Sequence, residues 1–268
     1  MTDPKPRPQL QEQTPILGNG VDRRQALAFM VGAAAVPLLG CGEGVPGESD
    51  TSSETGDRQC PAIPPETAGP YPGNGTNGAN ALILAGIHRV DMRTSIAGAT
   101  KTAAGSQLNV TLTLVDSNDG CTPLVNYAVY LWHCDQVGDY SMYTGAAAGE
   151  NYLRGLQAAN EAGEVSFITT FPGCYPGRWP HLHFEIYETL EAAMSGAPSL
   201  FTSQLALTKE ACEQAYDESG YEASKQSLAE VSLGSDGSFG DGAMLQRMTV
   251  TKMPTHYEAT LQIGIPIG

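Results

Sequence analysis

From Asn109 the chain alternates Val110, Leu112 and Leu114 with Thr111 and Thr113. An apolar residue at every second position places all of them on one side of an extended segment, the pattern of a strand with one face buried. Short stretches rich in β-branched and aromatic residues recur at 128–132, 164–170, 181–187, 202–207, 248–251 and 257–263, separated by Gly, Pro, Asn and Asp. Many short strands broken by turn residues predict an all-β chain, specifically an antiparallel β-sandwich. Only 190–195 and 209–228 have helical character. The first is short and the second is interrupted by Gly220, so both are expected as surface helices.

The N-terminal fifth follows other rules. Residues 1–20 are polar and proline-rich, Arg23 and Arg24 follow, then an apolar run over 26–39, then Leu38-Leu39-Gly40-Cys41. The run is shorter than the ~20 residues a bilayer-spanning helix needs. Its position after paired arginines fits an export signal. The segment resembles the bacterial twin-arginine motif, with Asp22-Arg23-Arg24-Gln25-Ala26-Leu27 departing from it at Ala26, where Phe is usual, and it ends in a lipoprotein-type box at Cys41. Residues 1–40 are therefore expected to be a twin-arginine lipoprotein signal and 41–59, built of Gly, Ser, Thr, Glu and Asp, a flexible polar tether. The catalytic sandwich is expected over 60–268. The destination would be periplasmic or cell-surface, with membrane association only through a lipid on Cys41.

The whole chain of 268 residues carries a net charge of −15. Residues 1–40 hold four Lys/Arg and three Asp/Glu, so the remainder carries −16. Such a surface repels polyphosphates and argues against nucleic acid as a partner. An oxidising destination permits disulfides among Cys60, Cys121, Cys134, Cys174 and Cys212, although spacing alone does not assign the pairs. Oligomeric state is likewise left open.

His181-Leu182-His183 lies within one of the predicted strands, where alternation turns both imidazoles to one side and Leu182 to the other. By itself this is as compatible with two solvated histidines as with a metal pair. Its surroundings add Trp132-His133-Cys134-Asp135-Gln136-Val137-Gly138-Asp139-Tyr140, then Arg154-Gly155, then Pro172-Gly173-Cys174-Tyr175-Pro176-Gly177-Arg178-Trp179-Pro180 leading into the histidines. A two-histidine, one-carboxylate iron(II) triad finds no suitable acid, because Glu185 shares the strand face one pleat beyond His183. The other histidines, His88, His133 and His256, form no second pair of zinc-site spacing.

In this order, the blocks resemble the intradiol ring-cleavage dioxygenases: Gly-x-Tyr after a Trp-bearing strand, Arg-Gly, Pro-Gly-x-Tyr-Pro, and Arg-x-Pro-His-x-His. The resemblance extends from Glu66-Thr67-Ala68-Gly69-Pro70-Tyr71 to the terminal strands. It implies a non-haem iron(III) centre held by Tyr140, Tyr175, His181 and His183, with Tyr140 and His183 equatorial and Tyr175 and His181 axial. It also implies that Arg178 lies over the bound ring and that Gln204 orients Arg178. Phenolates are hard anionic donors suited to a trivalent ion, and a phenol of pKa near 10 ionises at neutral pH only beside a strong cation. The implied substrates are a small aromatic diol and O2, giving a muconate-type diacid, with no nucleotide cofactor. The rival reading is an exported β-sandwich binding module without turnover. Two features depart from the better-studied branches: only five residues separate Tyr175 from His181, and no long helical segment precedes the sandwich.

Overall fold

The computed structural model describes residues 59–267. The expected signal segment, Cys41 and nearly all of the expected tether lie outside the described residues. The strands are β1 (Gln107–Asp116), β2 (Thr122–Pro123), β3 (Ala128–Trp132), β4 (Arg154–Ala158), β5 (Glu164–Thr170), β6 (His181–Tyr187), β7 (Phe201–Ala206), β8 (Thr249–Lys252) and β9 (Tyr257–Ile265). Three short helices, α1 (Leu190–Met194), α2 (Lys209–Ala215) and α3 (Glu222–Leu228), decorate them. The expected 209–228 helix is two helices, parted around Gly220, which adopts φ 96° and so cannot continue a right-handed turn.

Two sheets form. One orders its strands β2-β1-β9-β8, with β5 also pairing β1; the other orders β4-β3-β6-β7. Among the named strands of the described residues every pairing is antiparallel except one: β1 and β9 run parallel from Leu108↔Tyr257 to Asp116↔Ile265. The sandwich is thus mostly, not wholly, antiparallel. Alternation explains the core between the sheets. Leu108, Val110, Leu112 and Leu114 of β1 meet Val129 and Leu131 of β3, Leu182, Phe184 and Ile186 of β6, and Leu205 of β7 in one buried cluster. Each such side chain contributes roughly 2 kcal/mol on burial.

The opposite face of the smaller sheet is also covered. Ala128, Tyr130, Trp132, Leu156 and Tyr187 form a second buried cluster with Ala81, Leu82 and Ile87 from the segment preceding β1. A strand covered on both sides has no polar face to give to solvent, which is why all seven residues of β6 are buried. A disulfide joins Cys60 to Cys121, closing 61 residues, and Cys134, Cys174 and Cys212 are buried free thiols.

Candidate metal centre

Cross-strand register assembles the floor of the site. Arg154 of β4 lies opposite Trp132 of β3, Trp132 opposite His183 of β6, and His183 opposite Gln204 of β7. These four residues form a single row across the sheet. The Trp132 indole stacks on the His183 imidazole, ring centres 5.0 Å apart and planes 7° from parallel. A one-residue slip of β6 would exchange His181 and His183 for Leu182 and Phe184, so the packing of the core fixes where the histidines point.

Tyr140 and Tyr175 come from loops. Gly138, two residues before Tyr140, has φ 92°, and a Cβ there would stand 3.1 Å from Tyr175 Cβ. The glycine of the Gly-x-Tyr motif is therefore required twice, for its backbone conformation and for the approach of the two loops. Gly69, with φ 68°, passes directly over His183, where a Cβ would meet the imidazole Cε1 at 3.3 Å. It delivers Tyr71, whose ring packs 5.0 Å from that of Tyr140.

The four polar tips converge. Tyr140 Oη lies 3.2 Å from Tyr175 Oη, 3.4 Å from His181 Nε2 and 3.2 Å from His183 Nε2. Tyr175 Oη is 3.3 Å from His181 Nε2, and the two Nε2 atoms are 3.0 Å apart. Separations of 3.0–3.4 Å are those of donors sharing an ion about 2 Å from each. His181 Nδ1 donates to the Trp179 carbonyl, which leaves a lone pair on Nε2 facing the cluster. His183 Nδ1 is buried without a hydrogen-bond partner. Two imidazole nitrogens and two phenol oxygens facing one another in a buried place fit a cation, and the two oxygens, once ionised, would suit a trivalent one. The short turn from Tyr175 through Gly177 (φ 83°) brings the Tyr175 oxygen and the His181 nitrogen to this 3.3 Å separation.

Burial sets the protonation states. It pushes the phenols of Tyr140 and Tyr175 well above the usual tyrosine range, with Arg178 opposing the shift in both. It pushes His181 down to about 3 and His183 well below the ordinary histidine value. All four groups are thus neutral by themselves, and a bound cation is what would convert the phenols to phenolates.

Among the described residues no group of three His, Cys, Asp or Glu side chains is placed to hold a metal, so the two tyrosines are needed to complete a ligand set. Glu185 is engaged elsewhere, accepting from Asn74 Nδ2 at 2.8 Å and Tyr187 Oη at 2.7 Å. His133 is tied to the Cys134 carbonyl and Thr169 Oγ1, and His256 lies beside Glu258.

Arg178 and Gln204 meet: Arg178 Nη2 donates to Gln204 Oε1 at 2.5 Å, and Gln204 Nε2 donates to the Thr67 carbonyl at 2.9 Å. Two further residues shape the site, Arg154 of the Arg-Gly motif and Asp236, which the sequence does not mark. Arg154 is 1% exposed and donates to Ser141 Oγ, Tyr130 Oη and the carbonyls of Tyr71, Pro72 and Ser141. It thereby ties the Tyr71 segment to the Tyr140 loop. Asp236, 58 residues beyond Arg178, accepts from Arg178 Nε at 2.9 Å. Arg154 is the arginine of the visible Arg-Gly motif, but the Asp236-Gly237-Ser238 segment carries no signal beyond that of a turn.

No family model matches the sequence, and no curated protein matches it. Solved structures do. An intradiol ring-cleavage dioxygenase from Tetranychus urticae superposes with a TM-score of 0.61 at 25% identity, over 78% of this chain and 97% of that one. A second dioxygenase crystal structure gives a TM-score of 0.60 at 26% identity over the same shares. The chain resembles the intradiol ring-cleavage dioxygenases in fold as well as in motif order.

Proposed function

We propose that this chain is a non-haem iron(III) dioxygenase that opens the ring of catechol-type aromatics between the two hydroxylated carbons, consuming O2 and yielding muconate-type diacids. The observation that carries the reading is the convergence of Tyr140, Tyr175, His181 and His183 at 3.0–3.4 Å, beside the Arg178 guanidinium, on a fold shared with dioxygenases. Bound there, iron(III) would supply Lewis acidity toward the two oxygens of the diol and render its ring reactive toward dioxygen.

The chain's own residues supply the rest. Tyr175 is the less buried of the two phenols and sits on a turn, so its oxygen is the better placed to take up a proton that the diol must lose on binding. Arg178 offers a fixed cation to charge developing on the ring, with one guanidinium nitrogen held by Gln204. Tyr71 against Tyr140 and Trp132 against His183 wall the ligands with aromatic rings and limit the access of water.

The same reading includes export with lipid attachment at Cys41, supported by the paired arginines before an apolar run and by the Cys60–Cys121 disulfide, a bond of oxidising compartments.

The test is turnover of catechol by the iron-loaded protein under 18O2. One O2 consumed per catechol, with both labelled atoms in the diacid, is the expected result. Tight catechol binding with no oxygen uptake would replace the enzyme with a binding module.

A further inference from the structure

The segment that follows α3 returns to the site. Its Asp236 is 2% exposed, with a side chain of zero accessibility, and its carboxylate is fully engaged. Oδ2 accepts from Arg178 Nε at 2.9 Å and from the Trp179 backbone N–H at 2.6 Å. Oδ1 accepts from the backbone N–H groups of Ser238 at 2.8 Å and Phe239 at 3.2 Å. The next residues also point inward: Ser238 Oγ lies 3.4 Å from Arg178 Nη2, and the Phe239 ring stands edge-on to His181 at 6.3 Å.

A guanidinium has five N–H donors in a rigid plane, and one contact leaves it free to rotate. Here Nε is fixed by a carboxylate and Nη2 by an amide oxygen from a different element, so the plane is defined from two sides. The carboxylate is in turn anchored by backbone amides, which cannot follow a swinging side chain. We propose that Asp236 is the positioning residue for Arg178, holding the guanidinium plane in the orientation ring cleavage requires and leaving Nη1 and the remaining face for the substrate. This rests on the function proposed above, and it adds a role for the 232–243 segment that binding the metal alone does not demand.

The consequence is a coupling between positions 58 residues apart. In the full-length, iron-loaded protein with catechol as substrate, Asp236→Asn is expected to lower kcat about tenfold while KM changes much less, because Asn can keep at most one of the two acceptor oxygens. Arg178→Ala is expected to lower kcat about a hundredfold, and the double variant to match Arg178→Ala alone. Iron content and the resting visible band should be unchanged in Asp236→Asn, since no ligand is touched. Wild-type kcat in Asp236→Asn, or losses that multiply in the double variant, would overturn the proposal; so would loss of iron, which would make Asp236 an anchor of the fold. A second readout does not need turnover. In the gallium(III)-loaded chain the Arg178 Nε–H should exchange slowly with solvent by 15N NMR, and Asp236→Asn should make it fast. A wild-type protein silent on catechol with a protected Nε–H would defeat the enzyme reading and leave the positioning intact. A wild-type Nε–H that exchanges like a solvated arginine would defeat the positioning.

Discussion

Half of the site is carried by the smaller sheet and half by loops, and the two are specified by different physics. His181, His183, Trp132, Arg154 and Gln204 hold their places because β3, β4, β6 and β7 are in register and their alternate residues are core. Tyr140, Tyr175, Arg178 and Asp236 hold theirs because individual backbone conformations and hydrogen bonds demand it. The loop half carries the strain: Met142 at φ 70° lies two residues after Tyr140, and Leu153 at φ 56° immediately precedes Arg154 as the chain enters β4. Such conformations cost of the order of 1 kcal/mol each and persist where surrounding contacts outweigh them. A sheet therefore fixes donors that must not move, and loops supply those that approach, orient or depart.

The sharpest break in that comparison is on the sheet side. His183→Ala is expected to reduce iron per chain more than tenfold, measured by metal analysis after gel filtration, whereas Tyr175→Phe should retain iron with an altered colour. Equal retention in both would remove the distinction. Next in size is Arg154, the tie between the halves. Arg154→Met leaves the carbonyls of Tyr71 and Ser141 without this donor, at about 1–3 kcal/mol each, so chemical denaturation should show a loss of about 4 kcal/mol. A loss below about 1 kcal/mol would mean the Tyr71 segment is held by other contacts.

The disulfide tests whether the segment leading to Gly69 is held covalently. The paired change Cys60→Ser with Cys121→Ser should cost about 2–4 kcal/mol in the same assay, with the metal ligands unaffected.

The smallest effect is a pH slope. His133 is buried, which pushes its imidazole down to about 4, against about 6.5 in the unfolded chain. Between those values the unfolded chain binds a proton that the folded chain does not. This contribution is therefore complete above pH 6.5 and declines as pH falls toward 4, by at most about 1.4 kcal/mol per pH unit. The stability difference between wild type and His133→Asn should narrow as pH falls through that window. A pH-independent difference would show that His133 titrates normally in the folded protein.

The two halves also differ in how far the sequence discloses them. The alternation over 109–114 and the boundaries of β3, β5 and β6 are legible because buried apolar residues repeat at the strand period. The strand β4 is not: Arg-Gly-Leu-Gln-Ala has no alternation of β-formers, and Arg154–Ala158 is held extended by pairing with β3 and by a bridge from Leu156 to His88. The parallel match of β1 and β9 joins segments more than a hundred residues apart and has no local signature. In the site, the histidines are legible from periodicity, but the tyrosines, Arg178 and Gln204 are legible only through resemblance of their motifs. Asp236 is legible through neither, because an Asp before Gly-Ser reads as a turn until the fold brings it to Arg178.

The most direct test of the proposed centre is the visible absorption spectrum of the aerobic, iron-loaded full chain, taken before and after anaerobic addition of catechol, with Tyr175→Phe alongside. A phenolate-to-iron(III) charge-transfer band that shifts when catechol binds and is altered in Tyr175→Phe is the result the four-donor cluster predicts. A colourless protein that takes up no iron would contradict it.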